Sequence, residues 1–394
     1  MDKVIVVGCG VTGYSVIRAL ANKNIHIIAI TDHENDVAHL SRHVLEVVHI
    51  PRPDEDNEQF VALLTRNTHR WEGALILEAS DSKAVTLSKN KEALSKYYRI
   101  ATPDWEILKI FIQKEKTYAL AKECNVPFPG SILLSGPDDL SGISDIRYPC
   151  ILKPVRSFEF ASKFHVKNFT VNNNNELSEK FKLCIDAGQS MILQEIIPGP
   201  DENLFKLQGY INSQGKMVGR LFNRKLRQHP AHFGVMRVGV STDAFPEVEQ
   251  YTERLLRRAS YKGYFSIEFK KDPRDGQLKL IENNCRMPRS SMVATASGVN
   301  HPWIIYQDLV KNHQIDVTDY KVETYMIELL KDFPDSIFRH KEENIRLYDY
   351  FKPYLAKNKV FSDVDVLDLK PFMKLTSEII GKAFRRPFHK ASRR

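Results

Sequence analysis

Cysteine is scarce in this chain and badly spaced for bonding. Among 394 residues there are five, Cys9, Cys124, Cys150, Cys184 and Cys285, an odd number with no C-x-x-C pair. That spacing excludes a disulfide framework and a cysteine-built zinc site, and it fits a reducing compartment. Long hydrophobic runs are missing too, since no window reaches about 18 consecutive apolar residues. The opening MDKVIVVGCGVTG lacks the apolar core and cleavage site of a signal peptide. The expectation is a cytoplasmic protein, neither exported by that route nor spanning a membrane. No internal repeat is visible, and Asn172 to Asn175 is the one low-complexity run. What is present is 42% apolar residues, enough for two or three packed cores and too many for a disordered chain.

Charge is unevenly placed. The formal balance is +8, yet residues 374–394 alone hold seven bases and one acid, Glu378, which leaves the remaining body near +2. In that tail Ile379, Ile380, Ala383, Phe384 and Phe388 alternate with cations. Two readings stay open: a solvated terminus, or a segment that makes peripheral contact with anionic lipid at the inner membrane face. Nucleic acid is not an expected partner.

Along the chain, Val4 to Val7 read as a buried strand, Gly8-Cys9-Gly10-Val11-Thr12-Gly13 as a turn, and Val16, Ile17 and Leu20 as one face of a helix. A second buried strand, Ile25 to Ile30, ends at Asp32. Taken alone, Gly8, Gly10, Gly13 and Asp32 suggest an NAD- or FAD-dependent oxidoreductase, although nothing downstream offers a hydride-transfer site. A helical stretch from Trp105 to Cys124 ends at Asn125-Val126-Pro127. Lys153 then stands in a short apolar strand, Asn175 is expected to cap a helix, and Met191 to Ile197 form another strand. Leu207 to Phe222 read as a hairpin.

The most informative segment is Gly263 to Phe269, a tight turn around Arg274, and Leu278 to Arg286. Two strands folded on that turn bring Ser266 opposite Glu282 and Glu268 opposite Leu280. Glu268 and Glu282 then become diagonal neighbours on one face, with Asn284 two residues on. Acids side by side in apolar strands repel unless a cation lies between them, and oxygen ligands of this kind suit magnesium. The geometry alone leaves two readings open, a metal clamp or a hairpin with its polar face in water.

With its flanking landmarks the hairpin resembles the ATP-grasp superfamily, in the carboxylate–amine ligase branch of D-aspartate ligase-like proteins. Glu282-Asn283-Asn284-Cys285-Arg286, preceded by Glu268, is similar to the late metal motif of that superfamily. Lys116 and Lys153 resemble its two nucleotide lysines, and Gln194-Glu195-Ile196-Ile197 followed by Asp201 resembles the strand bordering adenine and ribose. Arg224 to Gln228 and Gly298 to Pro302 point to the branch. The resemblance covers residues 1 to about 312. It implies a multidomain chain of α/β and α+β type: a Rossmann-like parallel-sheet domain, then an ATP-grasp fold whose two α+β subdomains clamp the nucleotide. The implied boundaries are 1–103, 104–195 (small, lid-bearing), 196–312 (large, with the metal hairpin) and 313–394 (an extension).

The resemblance also implies ATP with magnesium or manganese, and activation of a carboxylate as an acyl phosphate for attack by an amine. Cell-envelope or polysaccharide precursors are the expected setting, and a homodimer is a plausible assembly. Glu268, Glu282 and Asn284 would hold the metal, and Lys116, Lys153, Gln194, Glu195, Ile196, Ile197 and Asp201 the nucleotide. Arg286 would stabilise the acyl phosphate. Lys225, Arg227 and Arg237 read either as a site for the acceptor carboxylate or a phosphate, or as a solvated basic strand. Residues 155–163 lack the glycines usual over the phosphates, so Ser157, Ser162 or Lys163 would cover them by side chain. His229 and His232 lack the further ligands a metal needs.

Overall fold

In the computed structural model, the described residues are all except 51–57, 144–145, 156–159, 161–162, 165, 167, 230–233, 340–345 and 391–394. The first strands are β1 (Lys3–Val7), β2 (His26–Thr31), β3 (Val44–His49), β4 (Leu75–Glu78) and β5 (Arg99–Ile100), joined in parallel in the order β3-β2-β1-β4-β5. All of β4, and all but the first residue of β1 and β2, are buried, because a parallel sheet covered on both faces has no wet side. Gly8 turns with φ of +87°, and the helix Val11–Leu20 comes so close that a Cβ on Gly13 would lie 2.4 Å from Gly8 O. Strand order reverses between β1 and β4, so the glycine turn and Ala79-Ser80 border one crevice.

The stretch from Trp105 to Cys124 forms two helices, Trp105–Ile112 and Lys114–Glu123, because Gln113 adopts an extended ψ of 109°. A four-stranded antiparallel sheet follows: β6 (Ser131–Leu134), β7 (Cys150–Pro154), β8 (Phe169–Val171) and β9 (Met191–Glu195), ordered β6-β9-β7-β8. The helix Asn174–Ile185 covers it through Leu177, Phe181 and Cys184. Its cap is Asn173 rather than Asn175. The Asn173 side chain accepts from Glu176 N at 2.9 Å while Glu176 accepts from Asn172 N, and that reciprocal pair selects one asparagine from the run.

The largest sheet has seven strands: β10 (Leu204–Ile211), β11 (Met217–His229), β12 (Val235–Ser241), β13 (Gly263–Lys271), β14 (Leu278–Asn284), β15 (Tyr325–Ile327) and β16 (Lys359–Phe361), ordered β14-β13-β10-β11-β12-β15-β16. Leu207, Phe265, Ile267 and Phe269 pack on the two helices after Trp105 and on the helix Pro246–Arg258. On the opposite face, Tyr210, Leu221, Tyr264 and Met326 meet Tyr14 and Val16 of the first domain. Further along the strands that face turns polar, and the site lies there. The chain closes with the helix Leu369–Lys390, where Leu369, Met373 and Ile380 are exposed. Among the described residues no helix is long and apolar enough to cross a membrane. The expectations resting on Ser157, Ser162, His232, Arg393 and Arg394 lie outside the described residues.

Candidate active site

The hairpin of β13 and β14 places its acids closer than the diagonal expected from a regular register. Glu268 pairs directly with Glu282, Ser266 with Asn284, and Phe269 with Leu280: the turn sets the strands one residue off the expected register, and a β-bulge at Ile281 shifts the ladder by one more. Directly opposed side chains have Cβ atoms roughly 5 Å apart, so the two carboxylates share one space. Asn284 Nδ2 donates to Glu282 Oε1 at 2.9 Å.

Lysines surround this pair. Lys206 lies 3.0 Å and Lys225 3.3 Å from Glu268, and Lys225 also donates to Gln228 Oε1 at 3.1 Å. Burial pushes both acids up, but the lysine charges more than offset it. Lys225 and Lys206 hold Glu268 below its ordinary value, while Lys114, Lys206 and the Asn284 amide hold Glu282 well below its own. Among the described residues Glu282 has no ion pair, so a charged carboxylate steadied by the Asn284 amide faces the cavity.

Lys153 stands across the cavity on β7. Its Nζ donates to Gln194 Oε1 at 2.6 Å, and the Gln194 amide donates to Tyr118 Oη and to Ser131 Oγ at 3.1 Å. Burial, with repulsion from Lys114, brings the Lys153 ammonium down to about 7 despite the opposing field of Glu282. The cavity holds about 170 Å³ and is walled by Lys153, Gln194, Glu195, Ile196, Ile197, Lys225, Glu268 and Glu282 among others. A larger hollow of about 630 Å³ is lined by Arg224, Leu226, Val240 and Tyr325. Its Arg224 is already spent on Glu202 O.

The other candidates are placed differently. Lys116 points to solvent, and Lys114, two residues earlier, is the amine whose charge reaches Glu282 and Lys153. Lys163 is exposed and away from the cavity wall. Glu195 accepts from Gly130 N at 3.2 Å and pairs with Arg274 at 2.6 Å, and the Ile196 N–H is taken by Pro149 O. Asp201 accepts from Gln228 Nε2 at 2.7 Å. Arg286 pairs with Asp81 at 3.0 Å, which ties the hairpin's end to the crevice of the first sheet. Arg227 turns away from the acids. Its guanidinium is bidentate on Asp332 and donates to Tyr350 O, because the bulges flanking Arg227 in β11 rotate it off the face of Lys225. Asp32 is ion-paired at 2.8 Å with buried Lys83. Sequence reasoning passed over Lys206, although a lysine between Phe205 and Leu207 carries the same signal as Lys153 in its apolar strand.

All the site donors near Glu282 are oxygens, which suits a hard cation, but the set is small. Among the described residues no group of three or more His, Cys, Asp or Glu is placed to hold a metal. Two glutamates and an amide fit magnesium, which takes few protein ligands and completes its shell with phosphate and water.

Comparison with known proteins bears on the fold. The chain is similar to a biotin carboxylase complex from Campylobacter jejuni (TM-score 0.66, 14% identity, 82% of this chain and 74% of the other). It is also similar to an N5-carboxyaminoimidazole synthetase from Staphylococcus aureus (0.64, 14%, 87% and 86%) and to an L-amino acid ligase from Bacillus licheniformis (0.60, 14%, 79% and 74%). These likenesses establish the fold as a parallel-sheet domain followed by an ATP-grasp fold. In sequence, the chain is 26% identical over 291 residues to a D-aspartate ligase of Enterococcus faecium (strain Aus0004), covering 70% of this chain and 69% of the relative. The TrkA-N domain family matches residues 4–96.

Proposed function

We propose that this protein is an ATP-dependent ligase that activates a carboxylate as an acyl phosphate and passes it to an amine, with ADP and phosphate released. The observation that carries this reading is the opposed pair Glu268 and Glu282 in a cavity that Lys153, Lys225 and Lys270 also line. The likeness to a D-aspartate ligase supports the reaction class. Phosphoryl transfer asks little covalent chemistry of a protein; it asks for positioning and for cations aimed at the moving charge. Lys153 and Lys114 supply that charge from one wall, and Lys206 and Lys225 from the other. Glu268, Glu282 and Asn284 would hold magnesium, which when bound neutralises charge on the phosphates. Ile196 and Ile197 offer apolar surface to a base, and Asp201 an acceptor to a ribose. Arg286, steadied by Asp81, would face the acyl phosphate.

The test is Glu282→Gln, which keeps the side chain's shape and removes its charge. Magnesium-dependent ADP release is expected to fall by about a hundredfold or more with the melting temperature little changed. Wild-type turnover in this variant refutes the assignment.

A further inference from the structure

The closing helix, Leu369–Lys390, turns apolar residues toward water as well as toward the protein. Its inner side is ordinary: Pro371 is buried, and Phe372 and Leu375 are half-buried. On the outer side Leu369 is 49%, Met373 65% and Ile380 49% exposed. Spaced four and seven residues apart, these three fall within an arc of about 40° at 100° per residue, opposite the packed side. Just before the helix, Val366 and Leu367 are exposed as well. In the sequence Phe384 and Phe388 follow Ile380 at steps of four, the spacing that returns to one face. A helix on a soluble surface ordinarily turns its polar face outward, so an apolar face on the wet side marks a surface that something covers.

This face is held firmly where it begins. Asp368 accepts from Ser41 Oγ at 2.5 Å and from Arg42 N at 3.1 Å, and Arg42 Nη1 donates to Leu367 O at 3.1 Å. Charge says what meets it. From Val366 onward the chain holds eight bases and two acids, Asp368 and Glu378. Asp368 is spent on those inward bonds, and Glu378 pairs with Lys374 at 3.3 Å. A second copy of the chain would bring the same cations against these, which is unfavourable. Nucleic acid would meet the cations and leave the outer apolar face in water. An anionic bilayer satisfies both, since apolar side chains enter the boundary between headgroups and acyl chains while lysine and arginine stay among the headgroups.

We propose that the closing helix lays its outer face on an anionic lipid surface and holds the protein there peripherally. Leu369, Met373 and Ile380 enter the acyl boundary, and the bases from Lys370 onward meet the headgroup charge. The bonds of Asp368 and Leu367 to the segment Ser41–Arg42 make the first domain, rather than a loose tail, the part that is docked.

The test sediments the full chain with vesicles of phosphatidylcholine alone and of phosphatidylcholine with about a third phosphatidylglycerol. The chain pellets with the anionic vesicles at least about tenfold more strongly than with the neutral ones. That excess fades as salt is raised. Met373→Ser with Ile380→Ser lowers partitioning by at least about tenfold at an unchanged melting temperature, because both side chains are already exposed in the free protein. Leu133→Ser with Leu183→Ser, on exposed apolar residues of β6 and of the helix Asn174–Ile185, keeps the wild-type value. Arg385→Gln with Arg386→Gln weakens binding to the anionic vesicles alone. No pelleting with anionic vesicles, equal partition onto both kinds, wild-type partition by the Met373 and Ile380 variant, or an equal loss in the Leu133 and Leu183 variant overturns the proposal. So does a dimer, seen by sedimentation velocity without vesicles, that the Met373 and Ile380 variant dissolves, because the face then belongs to a second copy.

Discussion

A lysine buried near a second lysine gives up its proton easily, and Lys153 is in that position. Burial and the field of Lys114 bring it down to about 7 from an ordinary 10.5, so without nucleotide it is charged below pH 7 and largely neutral above. A triphosphate favours the charged form. MgATP affinity is therefore expected to fall as pH rises past 7, by up to about tenfold (about 1.4 kcal/mol) per pH unit. At pH 8 binding takes up close to one proton, which calorimetry in buffers of different ionisation enthalpy detects; a Kd flat between pH 7 and 9 contradicts it. Lys153 was legible in the sequence because a lysine among Ile151, Leu152 and Pro154 has no structural reason to be there. The choice between Lys114 and Lys116 was not. The two point about 200° apart on a helix, and the break at Gln113 that sets the helix's phase leaves no mark in composition.

Elements were legible where periodicity is strong and illegible where one residue changes the phase. The buried strands, the glycine turn and the β13–β14 hairpin follow from runs of apolar residues. The register at the turn and the bulge at Ile281 do not, and together they turn the expected diagonal pair of acids into an opposed one. The glycine turn supports a sharper expectation. A Cβ on Gly13 would sit 2.4 Å from Gly8 O, whereas a Cβ on Gly10 would meet nothing nearer than Asp36 Oδ1 at 3.8 Å. Gly13→Ala must push the helix Val11–Leu20 off the sheet and is expected to cost about 2–3 kcal/mol in denaturant unfolding. Gly10→Ala, in the same turn, is expected to cost less than about 1 kcal/mol. Equal losses in the two variants would show that tightness at Gly13 is not what fixes the turn.

At the scale of the whole molecule, residues beyond 312 are part of the core architecture. They supply β15 and β16 to the large sheet and return to the first domain, where Arg18 pairs with Asp365 at 3.1 Å and Tyr14 donates to Asp368 O at 3.1 Å. None of this was readable in sequence, because the contacts with the first domain join residues 347 and 354 positions apart and the strands involved are three residues long. Arg227 shows the consequence. It was expected at the substrate, yet its partner Asp332, 105 residues away, engages it at 2.6 Å and 2.9 Å with both side chains nearly out of water. An ion pair so placed contributes little net stability compared with apolar packing, but losing one member strands the other charge. Asp332→Ala is therefore expected to destabilise the protein by about 3–5 kcal/mol in calorimetric unfolding, and Arg227→Met with Asp332→Leu to recover most of that loss. If Asp332→Ala melts like the wild type, the segment from Leu329 onward does not anchor the large sheet through this pair. Arg227 would then be free for the substrate role that its neighbour Lys225 suggested.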